Sequence, residues 1–101
     1  MVTPVKKITW TKQAILQFKK SIEYIREDSP QNAEKVKHTI LQKIKTLQSS
    51  IVRHPVDKYK RNNDDNFLYF EVLKHRVSFY VSEDEIIIIR IRHTKMNPKK
   101  Y

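Results

Sequence analysis

The spacing of apolar residues in the first half of the chain predicts two amphipathic helices. One stripe repeats at steps of four, four and three, the spacing of one helix face: Ala14, Phe18, Ile22 and Ile25. A second stripe repeats at steps of three or four: Ala33, Val36, Ile40, Ile44, Leu47 and Ile51. Thr11 is a suitable N-cap for a first helix that runs to about Asp28, and Ser29 followed by Pro30 signals the start of the second. So short a link predicts an antiparallel helix pair.

Alternation of apolar and polar residues predicts strands on both sides of the helix pair. A short first strand is expected at Lys7–Trp10, and three more at residues 67–73, 76–81 and 85–92. Residues 54–66 lose all periodicity and collect Pro, Asn and Asp, which indicates a polar connection. The last three strands are joined by short links, so they are predicted to form an antiparallel meander. The expected fold class is therefore α+β.

The alternation also predicts which strand residues share a face. Ile87, Ile89 and Ile91 are expected on one face of the last strand, with His93 in phase with them. Helices can cover only the fully apolar face of the sheet. The other face is predicted to be open at one end and to carry the candidate site: Arg76, Tyr80, Arg90 and Arg92.

Composition narrows the class of partner. The length of 101 residues predicts one domain, 1–101. The 21 Lys and Arg residues against 11 Asp and Glu residues give a formal charge of +10, which favours polyanionic partners. No Cys is present, His38, His54 and His75 show no metal-ligand spacing, and the absence of Gly excludes phosphate-binding loops built on glycine. No cofactor or metal is expected. No apolar run reaches the length of a signal peptide or membrane span, so the expected location is the cytoplasm.

The last twelve residues, RIRHTKMNPKKY, contain five Lys and Arg residues, one His and no acid. Such a tail beside an open sheet face suggests phosphate as a ligand, to be bound or to be attacked. Residues of the connection add cations that suit a nucleic-acid target: Lys58, Lys60 and Arg61.

The order of elements resembles the RelE/ParE superfamily of toxins from type II toxin–antitoxin modules. The resemblance covers nearly the whole chain and rests on the helix-pair segment WTKQAILQFKKSIEYIREDSPQNAEKV, the strand HRVSFYV and the segment IIIIRIRHT with its basic tail. It implies a toxin that stops growth and is neutralised by an antitoxin, in a toxin–antitoxin hetero-oligomer. RelE-like members cleave mRNA on the ribosome without a metal, whereas ParE-like members inhibit DNA gyrase.

The resemblance assigns roles to residues of the open face and the tail. In a ribonuclease, Arg76 with Arg90 or Arg92 would stabilise the phosphate, and His93 or Tyr101 would transfer protons. The residues expected to contact the target are these: Tyr80, Arg92, Lys95, Lys58, Lys60 and Arg61. The RIRHT tail also resembles ParE-type toxins, in which the ribonuclease residues are generally missing. Whether the chain is an enzyme therefore stays open.

Three functions are compatible with these residues: a metal-free endoribonuclease, a gyrase inhibitor that breaks no bond, and a non-toxic basic binding domain of the same fold. Each candidate residue also has a structural interpretation. The arginines suit the solvated face of a sheet, His93 suits a hydrogen-bonded strand end, and strand tyrosines such as Tyr80 most often serve packing.

Overall fold

The computed structural model describes residues 6–48, 54–64 and 66–94. Two helices and four strands follow one another in these ranges: β1 (Lys7–Trp10), α1 (Lys12–Asp28), α2 (Pro30–Thr46), β2 (Phe67–Val72), β3 (His75–Val81) and β4 (Glu85–His93). The predicted helices and strands are confirmed, and each strand boundary lies within one residue of its predicted position. Neither helix is long and apolar enough to cross a membrane within the described ranges.

Local capping residues fix where each of the two helices begins. The Thr11 hydroxyl accepts a hydrogen bond from the Ala14 amide at 3.1 Å, and the Ser29 hydroxyl accepts one from the Asn32 amide at 3.2 Å. Ser29 is the C-cap of α1 and also the N-cap of α2. With a single residue between them the helices reverse direction, as predicted. The ion pair between Arg26 and Glu34, 3.5 Å long, lies beside this reversal.

The four strands form one sheet in the order β1-β4-β3-β2. The β2–β3–β4 meander is antiparallel, as predicted. β1 pairs with β4 in parallel and makes the sheet mixed, a pairing that the sequence did not predict. One edge of the sheet is therefore β1. Beside β2, at the other end of the strand order, the connection passes and makes a bridge between Val56 and Leu68.

Both helices pack on one face of the sheet. The buried apolar core joins the two predicted helix stripes to alternate residues of β2, β3 and β4: Ala14, Ile22, Ala33, Val36, Ile40, Ile44, Leu47, Phe70, Val77, Phe79, Ile86, Ile88 and Ile91. Ile51, the last residue of the predicted second stripe, lies outside the described residues. The opposite face of the sheet, the open face, carries the polar positions of the meander.

A β-bulge in β4 corrects the predicted face assignment. Ser78 pairs with Arg90 while the next residue, Phe79, pairs with Ile88, so Ile89 is an additional residue without a partner in the register. The bulge shifts the alternation by one residue. Consequently Ile88 and Ile91 both face the core, at 0% and 1% exposure. The prediction that Ile87, Ile89 and Ile91 share a face was wrong, and His93 is in phase with Ile91 alone.

The chain makes its tight turns without glycine. The two residues between β2 and β3, Leu73 and Lys74, have φ angles of 46° and 63°, and Asn62 in the connection has 53°. Two central residues with positive φ are characteristic of the hairpin turn that favours Asn-Gly. Asn62 is a residue type that tolerates positive φ, whereas Leu73 and Lys74 are not.

Candidate functional site

A cavity of about 100 Å³ opens on the open face of the sheet, near the carboxyl end of β4. Its walls come from the connection, from the three antiparallel strands and from the residue after β4: Tyr59, Glu71, Arg76, Ser78, Arg90, Arg92, His93 and Thr94. Four of the predicted site residues, Arg76, Arg90, Arg92 and His93, are among them. The sequence therefore identified much of the lining, although it did not predict a concave site.

Arg76 is held from several sides. Its Nη1 lies 3.0 Å from Glu71 Oε1, and its Nη2 lies 3.3 Å from Asp57 Oδ1. The guanidinium carbon lies 3.5 Å from the centre of the Tyr69 ring and 4.8 Å from that of Tyr59, within the range of cation–π attraction. Two carboxylates and two rings thus fix the position and offset the charge of this side chain. Such an environment is typical of a structural arginine.

Asp57 provides the buried half of this arrangement. The residue is 1% exposed. Its backbone amide donates to the Phe67 carbonyl at 2.8 Å, and its Oδ1 accepts a hydrogen bond from the Tyr59 amide at 3.0 Å. Asn63 donates through its side-chain amide to the carbonyls of Asp57 and Phe67. These bonds attach the connection to β2, direct the carboxylate towards Arg76 and place Tyr59 in the cavity wall.

Arg90 and Arg92 bring further positive charge to the cavity. Arg90 is 7% exposed and lies opposite Ser78 in the register. Arg92 lies opposite Arg76 on the same face, a juxtaposition of like charges that is unfavourable by itself. Among the described residues Arg92 Nε has no hydrogen-bond partner although it is buried, as is also true of Arg76 Nε, and no described residue forms an ion pair with Arg92. Within the described ranges, three guanidiniums therefore meet two carboxylates.

A pair of histidines lies at the end of the same strands. His75 is 1% exposed, its Nδ1 is 2.9 Å from the Leu73 carbonyl oxygen, and its ring meets that of His93 edge-on at 5.1 Å. His75 is thus a buried packing residue. His93 is only partly buried and also lines the cavity, so it is the better placed of the two to meet a ligand.

A second cluster lies further along the open face. Phe67 and Tyr80 are cross-strand partners whose ring centres are 4.6 Å apart, and Lys60 Nζ lies 4.7 Å from the centre of the Phe67 ring. This aromatic cluster contains Tyr80 and Lys60 from the predicted target-binding set. Lys58 lies over the neighbouring Tyr59 ring, at 5.3 Å, and Arg61 is exposed.

Two of the predicted site residues, Lys95 and Tyr101, lie outside the described residues. Conversely, the prediction missed Asp57, Tyr59 and Glu71. A signal for Glu71 was present, because a two-residue hairpin at Leu73 and Lys74 fixes a register in which Glu71 faces Arg76. Nothing in the sequence marked Asp57, whose role depends on how the connection folds back on β2.

An apolar groove lies on the helix side of the β1 edge. It has a volume of about 630 Å³ and is lined by residues of β1, α1 and α2: Lys7, Ile8, Thr9, Trp10, Ile15, Phe18, Lys19, Lys37 and Leu41. Ile15 and Leu41 are each 39% exposed although both are large and apolar. The apolar groove thus combines exposed aliphatic side chains, three lysines and a neighbouring strand edge.

Comparisons with known proteins agree on one family. A family model described as the ParE toxin of the type II toxin–antitoxin system parDE matches residues 8–98. Among solved structures, the chain is similar to one described as the chromosomal ParDE TA system from P. aeruginosa, with a TM-score of 0.68 and 20% sequence identity over 88% of this chain and 96% of that chain. At that identity the likeness shows the fold. No curated protein matches the chain.

Proposed function

The chain belongs to the ParE family of toxins from type II toxin–antitoxin systems, and we propose that it arrests growth by binding and inhibiting DNA gyrase without breaking a covalent bond itself. The observation that carries this choice is the state of Arg76. In the ribonuclease alternative this arginine would stabilise the charge that develops on a phosphate in the transition state. Here Asp57 and Glu71 already bind its guanidinium at 3.3 and 3.0 Å.

The surroundings of Arg76 also disfavour its release towards a substrate. Asp57 is 1% exposed, and removing the partner of a buried carboxylate leaves an uncompensated charge. A substrate phosphate would therefore have to compete with a buried ion pair and with the stacked Tyr69 ring. An inhibitor that only binds needs no such competition, because no charge develops during binding.

The test is to add the purified toxin to two reactions in parallel. One follows the supercoiling of relaxed plasmid by DNA gyrase, and the other follows translation of a defined mRNA with its 5′ ends mapped. We expect supercoiling to stop while the mRNA stays intact. Uninhibited gyrase together with new cuts at codon positions would overturn the proposal and establish the ribonuclease.

One observation favours a metal-free endoribonuclease as the second candidate. Arg90, Arg92 and His93 line the same cavity, and such a reaction needs cations at the phosphate and a group that transfers a proton. On this alternative His93→Gln would abolish mRNA cleavage. The same variant is expected to leave gyrase inhibition largely intact on the primary proposal, because a binding surface requires no proton transfer.

Membership of this family implies an antitoxin as partner. We propose that an acidic, amphipathic segment of the antitoxin occupies the apolar groove and forms a toxin–antitoxin hetero-oligomer. The floor of the groove supplies exposed Ile15 and Leu41, and Lys7, Lys19 and Lys37 supply complementary charge. An amphipathic helix laid in a groove is a common mode of peptide recognition. The proposal includes the cytoplasmic location expected from the sequence.

A further inference from the structure

We propose that the open face of the sheet binds single-stranded nucleic acid, with one phosphate group in the cavity beside Arg92 and a nearby base of the same strand against Phe67 and Tyr80. This inference goes beyond gyrase inhibition, for which a protein contact suffices. It also requires no bond cleavage, so it does not depend on the ribonuclease alternative.

The phosphate half of the site rests on Arg92. Its Nε is buried and finds no hydrogen-bond partner in the part of the chain that the structure describes, a costly state for a charged group unless a ligand accepts the bond. The opposite residue, Arg76, has the same feature at its own Nε, but its two Nη atoms are already bound by Asp57 and Glu71. An oxyanion beside Arg92 would relieve the repulsion between the two arginines and satisfy the donor, and guanidinium groups suit phosphate oxygens well.

The cavity has room for such a group. A water molecule needs roughly 10–15 Å³ of free volume, whereas the cavity offers about 100 Å³. Ser78 and Thr94 add hydroxyl groups to the lining, and hydroxyls donate to phosphate oxygens. Glu71 also lies in the wall, but its Oε1 is taken by Arg76. The cavity therefore suits one tetrahedral phosphate.

The base half of the site rests on the aromatic cluster. Phe67 and Tyr80 form a partly exposed pair with ring centres 4.6 Å apart, and Lys60 lies over the Phe67 ring. Aromatic side chains beside cations are the usual platform for unpaired bases. Tyr80 is the next residue on this face after Ser78 of the cavity, about 7 Å along the strand. Arg92 lies opposite Arg76, two residues further along β3 and thus about 13 Å from Tyr80 along the strand. A phosphate held between Ser78 and the Arg92 guanidinium is therefore within the reach of one or two nucleotides from the aromatic cluster.

The experiment is fluorescence anisotropy of the full chain with a labelled DNA strand about ten nucleotides long, over a series of salt concentrations. We expect Tyr80→Leu to weaken binding about tenfold through lost stacking. Arg92→Gln should lower the slope of log K against log salt by about 0.7, the value for one phosphate contact on a single strand. Arg92→Lys should retain most of the slope, because it keeps the charge.

Two matched controls lie on the exposed outer surface of α1. Tyr24→Leu removes an aromatic ring that is 77% exposed, and Lys20→Gln removes one charge from an exposed position. Both should bind like the original chain. Equal losses in the controls and the site variants would overturn the proposal, since binding would then follow overall charge. Tighter binding of a duplex than of its single strand would also overturn it.

Thermal unfolding of each variant shows whether a loss of binding is caused by a loss of the fold. Arg92→Gln should not lower the unfolding temperature, because it removes a like charge opposite Arg76. If Arg92→Gln or Tyr80→Leu is folded and binds the strand as the original chain does, that result counts against the proposal. The supercoiling reaction is measured separately on the same variants, so loss of strand binding with gyrase inhibition retained would confirm the nucleic-acid site and distinguish it from the inhibitory surface.

Discussion

Arg76 and Arg92 lie opposite each other on β3 and β4, with their side chains on the same face of the sheet, but their surroundings differ. Arg76 is bound by Asp57 and Glu71 and stacks on Tyr69. Arg92 forms no ion pair with any residue that the structure describes. We therefore assign Arg76 to the architecture of the cavity and Arg92 to ligand binding.

The first prediction tests the structural role of Arg76 through its buried partner. Asp57→Asn should lower the free energy of unfolding by about 3 kcal/mol, because it removes one partner of a buried ion pair. Glu71→Gln is the matched control. The Glu71 side chain is 49% exposed, so its loss should cost about 1 kcal/mol or less. Urea denaturation measures both, and equal effects of the two variants would contradict the proposed anchor at Asp57.

The second prediction concerns the hairpin between β2 and β3. Leu73 and Lys74 adopt φ angles of 46° and 63°, which are unfavourable for residues with a Cβ atom. The double change Leu73→Asn with Lys74→Gly supplies the residues that this turn prefers and should stabilise the protein by about 1 kcal/mol. Lys74→Ala keeps a Cβ atom and should bring no such gain. Thermal unfolding separates the outcomes. A destabilised double variant would show that the packing lost with the Leu73 side chain outweighs the stability gained from a more favourable backbone conformation.

Local signals account for what the sequence predicted correctly. Thr11 and Ser29 each cap a helix by accepting a hydrogen bond from the amide three residues further on. The apolar stripes depend only on helical spacing. The placement of Arg76 and Tyr80 on one face of β3 also followed from simple alternation. These features depend on neighbours in sequence, so the helices, the strands and most of the candidate arginines could be identified without coordinates.

The remaining features depend on contacts between distant parts of the chain. The bulge at Ile89 changes the phase of β4, yet a run of four isoleucines carries no mark of where the extra residue falls. The parallel pairing of β1 with β4 joins residues 78 positions apart in sequence, as Lys7 and Glu85 are. The burial of Asp57 depends on the path of the connection along β2. Non-local pairing of this kind is where patterns in one sequence are least informative.

The third prediction concerns the stability of the fold at mildly acidic pH. His54 packs against the rings of Phe79 and Phe70, with centres 5.4 and 6.0 Å away. Burial, and secondarily the charge of Lys43, lowers its pKa below the ordinary value of 6.5. The unfolded chain therefore binds a proton more readily than the folded one. Stability from neutral His54 is fully present above pH 6.5 and is lost as the pH falls through the lower, folded pKa.

The measurement is thermal unfolding between about pH 7 and pH 5, above the range where most carboxylates titrate. The original chain should lose stability towards the acidic end. His54→Phe should flatten the dependence, because no proton can bind at that position. Lys43→Gln should weaken it only in part, since the effect of burial remains. An unchanged slope in His54→Phe would assign the pH dependence to another group.

The fourth prediction tests the apolar groove as the antitoxin site. Ile15 lines the groove and is 39% exposed, whereas its neighbour Leu16 is 58% exposed and is not part of the lining. Ile15→Asp should weaken binding of the antitoxin at least about tenfold, because a charge then faces the apolar segment of the partner. Leu16→Asp makes the same chemical change one residue away and should have little effect.

Calorimetric titration with the protein encoded beside the toxin gene provides the comparison. The electrostatic part is tested by Lys37→Gln in a kinetic binding measurement. This variant should slow association and reduce the salt dependence of the association rate, with a smaller effect on the dissociation rate, because the lysines lie beside the apolar lining. If both aspartate variants bind the antitoxin like the original chain, the groove is not its docking site. In that case the alternative surface is the cationic open face, where an acidic segment would compete with the single-stranded probe.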